Sequence, residues 1–347
     1  MKTVSRKVMA AVEAGFSKPL PHFARMLDGT LERMIAELEL VRRVSAKAAV
    51  PQEPAPEAVR PEIPAALLQA EVAALPPEQK LAEASGLSVH YARAAQMPWC
   101  LQEIGRLREI TFRAAGEGTG KSTDIDLFDA YYLHLFVWDE RHGRLVGAYR
   151  MGLTDEILAR YGKRGLYTHS LFRYGQRVLR DLNPAIELGR SFVRAEYQRS
   201  YSPLMLLWRG IGRFVARHPR YALLMGPVSI SNDYTPPSRR LMVDFLSHHQ
   251  RESELSRHVR PRRPFRTEAI ALPADALASP PRDIDDVSRA VAQIERDAKG
   301  VPILLKQYLK LGGKLLGFNA DPLFGNALDG LIRVDLRTTA RRLLVHY

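Results

Sequence analysis

The chain has 347 residues, 46% of them hydrophobic, enough for a sizeable core in one large domain or two. Its 51 lysines and arginines against 38 aspartates and glutamates leave a formal charge of +13, which implies an acidic partner: nucleic acid, anionic lipid or an acidic protein. Cys100 is the only cysteine, which excludes an intrachain disulfide or a cysteine metal cluster and suits a reducing compartment. The basic start, with Lys2, Arg6 and Lys7, lacks the apolar segment of a secretory signal, and no stretch reaches the length of a membrane span. A cytoplasmic protein is expected.

Leu31, Met34, Ile35, Leu38 and Val41 recur at helical spacing, so residues 1–46 read as an N-terminal helical extension. Pro51, Pro54, Pro56, Pro61 and Pro64 among alanines and glutamates make residues 47–66 an extended linker, leaving 67–347 as the main domain. That domain opens with a short helix near 64–83 and a strand at 87–93. Leu101, Ile104, Leu107 and Phe112 mark an amphipathic helix over 97–114. The apolar run 131–138 suits a central strand, and 145–153 is its hairpin partner across the turn ending at Gly143. A helix at 154–161 comes before the next strand, and a further strand at 221–231 and helix at 237–249 come later. Residues 248–266, crowded with arginines, read as a solvated basic loop. Helices at 283–298 and 302–311 and strands at 315–318 and 331–336 close the chain. Strands alternating with helices predict an α/β or α+β sheet domain.

The most informative stretch is 185–214. Residues 186–193 favour a strand but include Glu187, Arg190 and Ser191. A polar corner follows, with Gln198, Arg199 and Ser200. Pro203 then begins a helix with Ser202 as N-cap, and Leu204, Leu207, Trp208, Ile211, Phe214 and Val215 form its buried stripe. A strand that ends in a basic corner and opens a capped helix makes a site for phosphate, because free N–H groups and the positive dipole end point at it.

Two motifs are decoys. Residues 115–122 satisfy a relaxed phosphate-loop pattern ending in Lys121 and Ser122, but that mechanism needs a strand before the loop and a helix after it. Here an amphipathic helix precedes it, so a flexible loop is the better reading than a nucleotide hydrolase. His134 and Asp139 have a His-x4-Asp spacing, yet positions five apart on a strand face opposite sides. No histidine has metal-ligand spacing with a third ligand, and no metal is expected.

Four polar signals come in a fixed order: Arg108 with Phe112, Asp126 with Asp129, Gly147 with Arg150, and Glu187 with Arg190. That order resembles the acyl-homoserine-lactone synthases. The stretches 187–193, 207–211, 226–229 and 301–312 resemble more closely the ornithine lipid N-acyltransferases and their hemolysin-like relatives. The resemblance spans roughly residues 87–347. It implies a GNAT-like fold, a mixed, mostly antiparallel central sheet flanked by helices. It also implies an N-acyltransferase that moves a long fatty acyl group from acyl carrier protein to an amino acid or similar amine, in aminolipid biosynthesis.

On this resemblance Glu187 is the expected general base, while Arg190 holds Glu187 charged or binds the acceptor carboxylate. Asp126 and Asp129 are expected to meet the acceptor ammonium, with Arg108, Phe112, Arg150, Ser229 and Asn232 completing its site. Gln198, Arg199 and Ser200 would hold the acyl-phosphopantetheine of the carrier protein, with no permanently bound cofactor. This corner lacks the glycines of the usual GNAT coenzyme A loop, which disfavours acyl-CoA. An acidic carrier protein gives the +13 a reason, with peripheral contact at the inner membrane face as a second one and no nucleic acid partner. Strict alternation sets Glu187 and Arg190 on opposite faces, and a bulge would reconcile them. The alternatives are a buried structural pair at Glu187 and Arg190, or a non-catalytic GNAT-like module that docks a carrier protein or membrane partner.

Overall fold

A computed structural model describes residues 55–266, apart from 201, and residues 281–344. The expected helical extension and the start of the linker lie outside the described residues. The rest of that linker is bound to the body: Glu57 N–H donates to the Gly120 carbonyl at 2.8 Å, Arg60 N–H to that of Ser122 at 3.1 Å, and Ile63 N–H to Glu103. Helix α1, Ala65–Ala73, follows.

Strands β1 (Lys80–Ala84), β2 (Leu87–Arg93), β3 (Leu133–Asp139) and β4 (Arg144–Leu153) form an antiparallel meander. β5 (Phe172–Tyr174) leaves the main sheet to pair with β8 (Val259–Pro261) inside the expected basic loop. β6 (Ile186–Val193), β7 (Leu223–Ile230), β9 (Lys314–Asp321) and β10 (Ala327–Asp335) complete an eight-stranded sheet of order β1-β2-β3-β4-β6-β7-β10-β9. Every neighbouring pair is antiparallel except β6 with β7. The mixed, mostly antiparallel sheet is thus as expected. β1 is the exception, because its alanines and glutamate read as the end of a helix. The consecutive prolines Pro76 and Pro77 stop helix propagation, and pairing with β2 supplies the strand.

Helix α2 (Pro98–Ala114), α3 (Thr154–Tyr161) and α4 (Gln176–Asp181) cover one face of the sheet. The other face packs on α5 (Ser202–Arg217), α6 (Pro236–His249), α7 (Ile284–Ile294) and α8 (Ile303–Lys310). α5 is the keystone there: Leu207, Trp208, Ile211 and Phe214 are buried, and Trp208 meets Tyr149 and Tyr308 edge-on. Gly210 lets the helix lie directly against Val89 and Leu135.

The sheet opens at its parallel pair. β6 and β7 are in register only at Ile186 with Leu224 and Glu187 with Met225. Two local features part them. Pro227 has no N–H to give a ladder, and β6 carries a bulge. Ala148 faces Phe192 while Arg150 faces Gly189, so Arg190 and Ser191 together oppose Tyr149, and Arg190 sits at φ +50°. Just before the opening the two backbones come so close that a Cβ at Gly226 would collide with the Leu188 carbonyl. Gly226→Ala is therefore expected to cost about 1–3 kcal/mol by overpacking, read as a lower urea midpoint at unchanged slope.

Candidate active site

The bulge decides which side chains share a face. It shifts the alternation of β6 by one residue, so that Glu187, Arg190 and Phe192 all point toward the α2 side. The facing problem posed by strict alternation is resolved in this way.

On that side the four motifs converge in a buried ionic frame. Arg108, wholly buried on α2, reaches Asp129 at 2.7 Å. Arg150 on β4 reaches Asp126 at 2.5 Å and Asp129 at 3.4 Å. Arg190 reaches Asp124 at 3.2 Å and Asp126 at 3.7 Å. Asp126 and Asp129 also cap the turn they flank, with Asp126 accepting the Phe128 N–H and Asp129 the Asp126 N–H, both at 2.9 Å. The guanidinium of Arg150 lies over the rings of Phe128, Tyr132 and Tyr167 at 5.4, 5.3 and 5.1 Å. That of Arg190 lies over Tyr167 and Phe324 at 5.2 and 4.6 Å. Burial alone would neutralise these groups; instead Arg108 and Arg150 hold the Asp129 carboxyl well below the usual carboxylate range. Burial likewise opposes the charge on Arg150, and Asp126 and Asp129 more than restore it.

Asp126 and Asp129, expected to meet an ammonium group, therefore meet three arginines. Glu187 does not pair with Arg190, contrary to one expected role of that arginine. Its carboxylate, 1% exposed, accepts from the Tyr132 hydroxyl, from the Tyr167 N–H at 3.0 Å and from the Thr168 N–H at 2.7 Å. Glu187 and Arg190 share Tyr167 instead, one at its amide and the other on its ring.

Phe112 packs edge-on against Phe324, 5.1 Å between centroids, and so backs the Arg190 site. Ser229, at the end of β7, donates to Glu117 at 3.1 Å. Asn232 is exposed past that strand and accepts from Arg239. Gln198, Arg199 and Ser200 occupy an exposed turn between β6 and α5. Gln198 donates to the Val193 carbonyl at 2.7 Å, and Ser200 accepts the Ser202 N–H at 3.1 Å, so the helix is capped from Ser200.

Sequence reading missed Asp124, Tyr132, Tyr167 and Glu117. An Asp-x-Asp at 124–126 beside a known motif was a usable signal for the first, while Tyr132 was hidden in an apolar run and Tyr167 in a short turn with no period of its own. The phosphate-loop lookalike folds onto a carboxylate: Glu109 accepts the Thr119 N–H and hydroxyl and the Gly120 N–H. Amides committed to an anion of the protein are not a phosphate cradle. ATP is accordingly expected to give no thermal shift, in the wild type or in Lys121→Ala. His134 is buried, bonded to the Asp129 carbonyl at 2.9 Å and pushed down to about 4 by burial, whereas Asp139 binds His142 and Tyr197 elsewhere. The two do not cooperate.

Residues 107–209 match the acetyltransferase (GNAT) domain family, a span that begins beside Arg108 and ends inside α5. A glycine N(alpha)-acyltransferase of Phocaeicola vulgatus is 30% identical over 243 residues, 67% of this chain and 72% of that protein. One of Bacteroides thetaiotaomicron is 31% identical over 243 residues, 67% of this chain and 70% of that protein. No described helix is long and apolar enough to cross a membrane. The aligned stretches, the opening at the parallel strand pair and the buried arginine frame agree: this chain belongs to the family of these two proteins and is a GNAT-fold N-acyltransferase.

Proposed function

We propose that the protein transfers a long fatty acyl group from acyl carrier protein to the amino group of glycine or a similar small amino acid, yielding an N-acyl amino acid for aminolipid synthesis. The observation that carries this reading is the opening between β6 and β7, with Arg190 on one lip and Ser229 on the other. An acyl-pantetheine arm entering there lays its thioester beside backbone N–H groups that the parted strands leave free, the donors an oxyanion requires. Arg190, the frame's guanidinium nearest the opening, takes the acceptor carboxylate, and Asp124 and Asp126 orient it. Glu187 acts by holding the Tyr167–Thr168 turn, whose ring stacks on Arg190. Arg199 and the start of α5 take the pantetheine phosphate, and the basic surface meets the acidic carrier protein or, secondarily, anionic lipid.

The test is incubation of the protein with carrier protein charged with labelled long-chain acyl groups, and separately with acyl-CoA, against glycine and a panel of amines. The expected result is an amide from the carrier-protein donor, best with a small amino acid. Salt-sensitive carrier binding with no amide from any amine would favour a non-catalytic docking module instead.

A further inference from the structure

Beyond α2 the chain turns at Gly116, φ +70°, and crosses the end of the sheet. Three contacts pin it there. Ser231 donates to the Ala115 carbonyl at 2.9 Å, the Glu117 N–H donates to the Phe112 carbonyl at 2.7 Å, and Ser229 donates to the Glu117 carboxylate. From the far side the turn between β9 and β10 presses on it so closely that a Cβ at Gly325 would strike the Gly116 carbonyl. Glu117, 6% exposed, is thus fixed over the end of β7, across the opening from Arg190.

Its surroundings set it apart from the other carboxylates of the site. Asp124, Asp126 and Asp129 each have an arginine at ion-pair distance, and Glu187 has three donors; Glu117 has one serine hydroxyl and no ion-pair partner among the described residues. We propose that Glu117 is the carboxylate that takes the proton from the attacking amine, with Ser229 holding it at the mouth of the opening. The assignment rests on the acyl-transfer reading above. In the step, the amine nitrogen attacks the thioester carbonyl carbon, the C–S bond breaks, and the thiolate leaves on the pantetheine arm. The proton lost by nitrogen passes to Glu117 and from there to the thiolate, so the carboxylate is restored.

The pKa of Glu117 suits that task. Burial raises it to about 7, Asp233 adding to the rise while Ser229 and Arg190 oppose it. Asp329 on β10 also faces it, and burial, with Asp321 and Glu117 itself, pushes that carboxyl well above the usual range. Glu117 is thereby able to gain and lose a proton near neutrality.

The experiment measures kcat and KM of the full-length protein against pH, for wild type, Glu117→Gln and Ser229→Ala. The wild-type kcat is expected to rise with pH through about 7. Glu117→Gln should lower kcat by about 10²–10⁴-fold, leave the donor KM within about threefold, and replace the limb near 7 by the amine's own ionisation at higher pH. Ser229→Ala removes a hydrogen bond that lowers the pKa of Glu117, so its limb should move upward in pH with a smaller rate loss. A folded Glu117→Gln variant that keeps the wild-type limb, or loses less than about threefold in kcat, overturns the assignment. If that variant does not fold, an unmoved limb in Ser229→Ala overturns it. A wild type that makes no amide overturns the acyl-transfer reading and this step with it, whereas an active wild type with an unchanged variant overturns this step only.

Discussion

Asp129→Asn will lower the unfolding free energy by about 3–5 kcal/mol, the range for breaking a buried charge pair from one side. Arg108 has no exposed surface, and Asp129 is its ion partner, whereas Arg150 would keep Asp126. The variant leaves a buried guanidinium without its ion-pair partner, with Asp124 as its remaining nearby opposite charge. The pH dependence follows from the direction of the shift. A carboxyl depressed in the folded state contributes its full stabilisation above the unfolded value, near 4, and loses it as pH falls through the folded value. The gap between wild type and variant should therefore be flat from neutral pH to about 4 and close only in stronger acid. Urea unfolding across that range measures it. Arg108→Met added to Asp129→Asn should recover part of the loss, because it removes the unpaired buried charge while the amide oxygen still accepts the Asp126 N–H. A single variant within about 1 kcal/mol of wild type would show that the frame does not need this charge.

Glu187→Ala will destabilise the fold by about 1–3 kcal/mol, since it leaves the buried Thr168 N–H without an acceptor, while the Tyr167 N–H keeps the Tyr132 oxygen at 3.0 Å and the Tyr132 hydroxyl keeps only the Gly165 carbonyl at 3.4 Å. Glu187→Gln keeps one acceptor oxygen and should lose less. The kinetic consequence separates this residue from Glu117. Loosening the Tyr167–Thr168 turn frees the ring beneath Arg190, so KM for the amine acceptor should rise in Glu187→Gln while the pH limb near 7 stays in place. A vanished limb in Glu187→Gln with an intact one in Glu117→Gln would return the base to Glu187, the residue that the family resemblance implied.

Much of the fold was legible because long elements carry long periodicities. Leu87–Arg93, Thr154–Tyr161 and Ile186–Val193 were read at their observed bounds. β5 and β8, three residues each, are too short to show a period and exist because they pair with one another. The site was legible as a gathering of motifs but not as a set of partners. Arg108 and Asp129 stand 21 residues apart, and spacing does not say that they touch. The bulge at Arg190 is a matter of register with β4, and no residue of Glu-Leu-Gly-Arg announces it. The donors to Glu187 are backbone groups of a turn, the kind of partner a side-chain motif omits.

The strap formed by residues 55–63 has a practical consequence for dissecting this enzyme. It hydrogen-bonds to Gly120 and Ser122, and Arg113 ties its Glu57 carbonyl to α2 at 2.8 Å. The same loop, three residues earlier in the chain than Gly120, bears Glu117. A fusion partner or a pulling force placed ahead of residue 55 is thereby conducted along a splint to the mouth of the cleft. Trimming the chain at residue 67, where composition alone sets the start of the domain, would spare every site side chain yet remove that splint, together with the buried Ile63 and its bond to Glu103.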